Sequence, residues 1–346
     1  MTSALLSVRE LEAHDIARWD AFVAAAPGST FFHRAGWKRA IEQGFGHRCH
    51  YLLAESEGEI RGVLPLVHQK TLLFGNGLSS TSFCVYGGPL AADAAALQAL
   101  DAAAIALRDS LGANYLEYRC QSPQHPDWPA KSDLYATFRR PIVPERDKNL
   151  LASPRKQRAV VRKALEGDLK AEIDDDIGRF FPLYAESVRN LGTPVFARRF
   201  FVCLKEIFGE DCEILTILHQ ERPVAAVMSF YFRDEVLPYY AGGIVEQRRL
   251  GAHDFMYFET IARAGERGLK VFDFGRSKQG TGSFAFKKNW GFTPQFLHYE
   301  YQLQPGHEVP DVNPLNPKYK LFIALWQRLP LPIANTLGPW LARGLG

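Results

Sequence analysis

The chain has 346 residues, 41 Lys and Arg against 38 Asp and Glu, a formal net charge of +3, 47% hydrophobic and 23% charged residues. That balance excludes a disordered or fibrous chain and leaves a soluble globular protein long enough for two domains; so small a net charge gives nucleic-acid binding no support beyond local clusters. The five cysteines, Cys49, Cys84, Cys120, Cys203 and Cys212, are odd in number and form no C-x-x-C pair, which argues for reduced thiols and against a disulfide framework or a metal site. MTSALLSVRELEAHD carries acids in its first turns, and no stretch reaches the ~18 apolar residues of a spanning helix. A cytoplasmic protein is expected.

In chain order, FFHRAGWKRAIEQGFG (from residue 31) predicts a helix with Trp37, Ala40 and Ile41 on one face. Two strands, HRCHYLLAE and EIRGVLPLV, follow around the turn Ser56-Glu57-Gly58. VYGGPL then leads through an alanine-rich helix to Gly112 and the strand YLEYR. Next, SPRKQRAVVRKALEGDL (from 153) predicts a helix with Ser153 as N-cap, Pro154 at the first helical position and Gly167 at its end. Arg155, Lys156, Arg158, Arg162 and Lys163 occur before any acid, and Arg155, Arg158 and Arg162 fall near one face. That face is either solvated surface or a contact for phosphates or an RNA backbone.

VFARRFFVCLKEIFG, from 195, then repeats the first unit: a helix, the strands CEILTILHQ and PVAAVMSFYF around Glu221-Arg222, YAGGIV, a helix from about Asp254 to Arg267, Gly268 and the strand VFDFG. The Phe-Gly pairs and hairpin turns keep one offset, and about eight extra residues sit in the first copy's KTLLFGNGLSSTSF. The chain therefore reads as a duplication, with domains at 1–148 and 149–305 and a tail at 306–346. The element order resembles tandem GNAT (acyl-CoA N-acyltransferase-like) domains, an α/β fold with mixed, mainly antiparallel sheets.

In EQRRLGAHDF (from 246), Arg248, Gly251 and Ala252 stand where such a domain holds a CoA pyrophosphate at a helix N-terminus, although His253 occupies the last, normally small, position. The corresponding GGPLAADAAALQAL has no basic residue, so the first copy is expected to lack cofactor binding. FDFGRSKQGTGSFAFKKNWG (from 272) aims Arg276 and Ser277 at the same end of the sheet, and FKKNWG is expected to return as a strand or short turn. Lys287, between aromatics, is either a snorkelling lysine or a partly desolvated ammonium that stabilises an oxyanion. Lys288 is expected to point away. Asp273, Tyr239 and Tyr240 are candidate bases. With no Ser-His-Asp or Cys-His set, transfer is expected to be direct.

FFHRAGWKRAI, the basic helix and DFGRSKQGTGSFAFKKNWGF together resemble the FemAB-like acyl/aminoacyltransferases, over about residues 15 to 305, and within them the FemAB-related proteins associated with PEP-CTERM/exosortase systems. The resemblance implies that Phe286 and Lys287 act on an acyl ester. It also implies that Lys38 and Arg158 or Arg162 grip a precursor diphosphate, with Trp37, Tyr239, Tyr240, Arg276 and Ser277 as further substrate-binding candidates. The implied function is N-acyl or aminoacyl transfer to an amine of a cell-envelope or exopolysaccharide precursor. The long helical hairpin of some Fem proteins has no counterpart, so the donor, acyl-CoA or aminoacyl-tRNA, stays open. An acyl-CoA N-acetyltransferase and a non-catalytic glycan- or envelope-binding scaffold are the alternatives. After residue 305, prolines punctuate LFIALWQRL and IANTLGPWLARGL, which either pack on the protein, the expected outcome, or lie at the inner membrane with Trp326 and Trp340 at headgroup depth.

Overall fold

A computed structural model describes residues 6–71, 75–245, 247–310 and 317–346, with the side chains of 247, 248 and 317–319 left out. The first half supplies β1 (Ser7–Glu10), α1 (Ile16–Ala25), α2 (Gly36–Phe45), β2 (Arg48–Ser56), β3 (Glu59–Thr71), β4 (Gly75–Ser80), β5 (Leu90–Ala91), α3 (Ala94–Ser110), β6 (Tyr115–Cys120) and β7 (Ala130–Lys131). Trp37, Ala40, Ile41, Gly44 and Phe45 recur at helical spacing and are the buried face of α2, which stops where Gly46 takes φ +71° and donates its N–H to Glu42 O. Asp93 caps α3 by accepting from Ala96 N at 2.9 Å.

The second half supplies β8 (Tyr135–Pro141), α4 (Arg146–Leu151), α5 (Arg155–Leu165), β9 (Leu169–Asp174), α6 (Phe180–Asn190), α7 (Arg198–Phe208), β10 (Cys212–His219), β11 (Arg222–Phe232), β12 (Glu235–Gly243), α8 (Gln247–Leu250), α9 (Ala252–Glu266) and β13 (Val271–Asp273). Then come β14 (Ser277–Lys278), α10 (Gly282–Asn289), β15 (Pro294–Phe296), β16 (His298–Leu303), α11 (Pro317–Arg328) and α12 (Leu331–Ala342).

Among the described residues the strands make two eight-stranded mixed sheets, ordered β1-β2-β3-β4-β6-β16-β7 with β5 on β3, and β14-β8-β13-β12-β11-β10-β9 with β15 on β8. The duplication is visible in the pairing. An antiparallel run, β2-β3-β4 or β10-β11-β12, is followed by one parallel neighbour, β6 or β13. The next strand in each sheet is distant in sequence: β16 lies antiparallel to β6 (Tyr299 opposite Arg119), and β8, which precedes the second repeat, lies antiparallel to β13 (Phe272 opposite Arg140).

The compact units are accordingly Met1–Tyr135 with Phe296–Val312 and Arg343–Gly346, and Ala136–Gln295 with Asn313–Ala342. This replaces the expected cuts at 148/149 and 305/306. Hydrogen-bond partners, not chain continuity, decide where β8 and β16 belong. The two Gly-Gly pairs also differ. Gly242 and Gly243 end β12, and a Cβ on Gly242 would stand 2.5 Å from Leu183 O, so α6 approaches as only glycine allows. Gly87 and Gly88 lie beyond β4, both donating N–H to Arg119 O, at 2.9 and 3.2 Å.

Candidate active site in the second unit

β12 pairs with β13 only at Glu235–Val271 and Val236–Phe272, yet runs on to Gly243. Beyond Val236 the ladder is open. In the same stretch the register with β11 slips, Met228 facing Tyr240 and Ser229 facing Pro238, so Tyr239 is an extra residue in a bulge. A bulge re-aims side chains, and here it separates the two tyrosines that stand as alternative base candidates. Tyr240 is buried, its ring in edge contact with Tyr184, Phe200, Phe201 and Phe230. That is a core position. Tyr239 is half-buried, and its Cδ2 lies 4.0 Å from where a Cβ on Gly275 would stand.

Lys287 meets the same glycine at its carbonyl oxygen. FKKNWG does not return as a strand: Gly282–Asn289 is helix α10, capped by Thr281, whose hydroxyl accepts from Phe284 N at 3.4 Å. It ends in a Schellman arrangement, Gly291 at φ +82° donating to Lys288 O and Phe292 N–H to Lys287 O. Alternating aromatics suggested a strand, whereas Thr281 and Gly291 were the legible helix limits. On a helix, successive side chains are ~100° apart, so Lys287 is buried and Lys288 exposed.

The Lys287 ammonium donates to Gly275 O at 2.9 Å and Arg276 O at 3.1 Å, and lies 5.5 and 5.8 Å from the ring centroids of Phe138 and Phe274. Two of its three N–H groups are thereby placed. Burial pulls its pKa down to about 7, with Asp273 working against that shift and Arg276 adding to it. The group thus changes charge near neutrality.

Asp273 is fully buried; it accepts from Thr137 Oγ1 at 2.7 Å and Gly275 N at 2.8 Å, and Arg139 Nε stands 3.5 Å away. Its carboxylate anchors the turn carrying Gly275 and is already engaged, which corrects its reading as a base. Phe286 is half-buried and packs on Tyr257, Phe274 and Trp290 against the core beneath α10. Arg276 is half-buried beside the lysine. Ser277 Oγ is buried and without a hydrogen-bond partner among the described residues.

Gly251, at φ +67°, starts α9, and a Cβ there would touch Ala164 at 3.4 Å and Val160 at 3.7 Å. Helix α5 therefore lies over Gly251, and Ala252 is fully buried. Neither residue is an open cradle. The Arg248 side chain lies outside the described residues. Close by, a cleft of about 580 Å³ is lined by Glu186, His219, Gln220, Arg222, Val224, Ile244, Arg249 and Leu250. Its cations come from the β10–β11 turn as well as from the expected loop. In sequence that turn reads as a hairpin, and nothing local in HQER signals a ligand.

In α5 the buried face is Gln157, Val161 and Ala164, leaving Arg155, Lys156, Arg162 and Lys163 exposed. Arg158 donates to Leu151 O and Ser153 O, both at 3.1 Å, and so ties down the preceding turn. Pro154, not Ser153, is the N-cap; the Ser153 hydroxyl instead accepts from Arg140 Nη2 at 3.3 Å. In the first unit Trp37 is fully buried against Phe31 and Phe32, a core residue and not a ligand contact, and Lys38 is ion-paired with Glu42 at 2.6 Å.

The first unit also keeps a cleft, of about 450 Å³, beside Gly87, Gly88 and the start of α3. Arg119, the one arginine or lysine among its lining residues, is buried and turned to Glu117 and Cys84 O. His33 there accepts from Thr30 N and donates to Gly88 O, and burial pulls its pKa down to about 4, so it is neutral. This cleft offers no uncommitted cation to a phosphate.

Residues 153–288 match the family model described as an acetyltransferase (GNAT) domain. Acyl transfer is the reaction class that this domain supports. Among solved structures the chain is similar to FemX, at 14% identity and TM-score 0.65 over 85% of this chain and 96% of that one. It is also similar to a tandem GNAT protein from the clavulanic acid biosynthesis pathway (14%, TM-score 0.55, 86% and 97%). A GCN5-related N-acetyltransferase from Sphaerobacter thermophilus aligns as well (10%, TM-score 0.50, 88% and 98%). These likenesses establish the tandem GNAT fold. No curated protein sequence matches.

Proposed function

From a GNAT acetyltransferase domain set in a tandem GNAT-like fold, we propose a FemAB-type N-acyltransferase or aminoacyltransferase that acylates an amine of a cell-envelope or exopolysaccharide precursor. Its counterparts in role are the FemAB-related proteins of PEP-CTERM/exosortase systems, and it works on the cytoplasmic side of the inner membrane. The observation that carries the reading is the buried Lys287 ammonium, fixed by two carbonyls at the open end of the β12–β13 ladder.

The acceptor amine attacks the donor carbonyl carbon directly. As the carbonyl oxygen gains charge, the third N–H of Lys287 donates to it in a site of low dielectric, and no carbon–nitrogen bond to the protein forms. Collapse of the tetrahedral species expels the donor's thiolate or ribose oxygen, which takes up the proton lost by the new amide nitrogen. The Tyr239 ring, against Gly275, orients the acyl group. Arg162 serves a precursor phosphate better than Arg158, whose guanidinium already holds two carbonyls, and Lys38 serves it only by leaving Glu42.

A second reading, an acyl-CoA-dependent N-acetyltransferase, is favoured by the cleft where His219, Arg222 and Arg249 converge near the start of α9. Native mass spectrometry after incubation with acyl-CoA and charged-tRNA pools, followed by transfer of a labelled acyl group to amine acceptors, separates the donors. Lys287→Ala should slow transfer by about a hundred- to a thousandfold by either route. Unchanged turnover in that variant would overturn the catalytic assignment, and retained ligand affinity without any turnover in wild type would point to a binding scaffold.

A further inference from the structure

We infer that α11 and α12 form a docking face for an anionic lipid bilayer. A helix of a globular protein normally buries its large apolar residues and exposes its small ones; α12 does the reverse. Ala334, Gly338 and Ala342 are its buried positions, and a Cβ on Gly338 would stand 2.9 Å from Val195. Its large residues face outward at i, i+4 and i+7: Ile333 is 46% exposed, Leu337 47% and Trp340 68%. Helix α11 buries Trp326 but leaves Leu321 at 70% and Leu325 at 57%. The expected pair of headgroup tryptophans is thus split, Trp326 packed inward and Trp340 presented.

The charge names the occupant. Residues 317–342, which hold both helices, contain Lys318, Lys320 and Arg328 and no Asp or Glu. A self-complementary dimer across this face would bring like charges together with no carboxylate in either helix to answer them. An anionic surface complements them, and apolar side chains with an amphipathic tryptophan suit the headgroup boundary. Both helices are 12 residues long, too short to cross the hydrocarbon, so they lie on the surface.

The test uses full-length protein sedimented with phosphatidylcholine vesicles and with vesicles that also contain phosphatidylglycerol. Binding to the anionic vesicles should exceed that to the neutral ones by at least about tenfold and fall steeply with salt. Leu337→Asn/Trp340→Ser, at exposed positions, should melt like wild type and lose at least about tenfold in binding. Quenching by brominated lipid should drop in Trp340→Phe. Equal binding by wild type and the double variant, or no binding to anionic vesicles, overturns the inference. So does a dimer in solution that the double variant abolishes, without lipid binding. Transfer activity is not read, so this result stands apart from the fate of the proposed chemistry.

Discussion

Lys287→Met isolates the most consequential electrostatic feature of the site. The unfolded chain keeps the lysine proton up to about pH 10.5, while the folded chain gives it up near pH 7. Below pH 7 both states are protonated and the fold carries the whole cost of a buried ammonium. Between the two values the unfolded state binds one more proton, so stability rises with pH, by about 1.4 kcal/mol per unit. From pH 7 to 9 that amounts to about 2 kcal/mol, because half the protons are already lost at the start. Lys287→Met removes this dependence. It also strips a donor from Gly275 O and Arg276 O, an offset that does not vary with pH.

The assay is urea unfolding of wild type and variant at both pH values. The wild-type stability should gain about 2 kcal/mol on the variant between pH 7 and 9; a difference flat across that window would refute the buried, depressed ammonium. Activity supplies the second reading. Loss of one oxyanion donor costs about a hundred- to a thousandfold in rate. If the charged form acts, the wild-type advantage over Lys287→Ala should fade as pH rises through about 7.

Other expectations follow from single contacts. Gly242→Ala drives a methyl into the backbone of α6 and should cost a few kcal/mol, on the order of an overpacked core, seen as a lower urea midpoint. Gln220 and Glu221 both hold positive φ, 50° and 62°, in a turn that favours Asn-Gly; Gln220→Asn/Glu221→Gly should raise stability by roughly 1 kcal/mol, read by thermal melting. Asp254, half-enclosed with Gln157 and Trp290, has its pKa raised by burial. Its folded form holds the proton longer, so stability falls as pH rises through the carboxylate range, and Asp254→Asn should remove that fall in a pH series of melts. Lys38→Ala breaks only a surface i,i+4 pair, so the melting temperature should hold while KM for a diphosphate-bearing acceptor rises.

The duplication was legible because short-range devices recur: Phe-Gly at a helix end, a two-residue hairpin turn, a glycine before the parallel strand. Strand membership was not. YATFRRP and HYEYQL have nearly the same alternating pattern, so either could serve the edge of either sheet, and only the finished ladders select between them. At the site, Lys287 was found from its aromatic neighbours, yet its helix was missed. FAFKKNW alternates like a strand, and the limits at Thr281 and Gly291 lie outside the apolar run. The division of labour between Tyr239 and Tyr240 was invisible for another reason: a bulge depends on the register with β11, which two adjacent identical residues cannot announce. Arg222, facing the second cleft, is remote in sequence from the loop that drew attention.

The traded strands bear on how this molecule can be divided. A protease that nicks the connection after β8 produces two pieces, each still holding a strand that the other's sheet requires, β8 beside β13 and β16 beside β6. Expressed alone, either piece has a raw edge and a spare strand, the recipe for pairing with a second copy of itself. Carried in one chain, the two strands reach their sheets without depending on concentration.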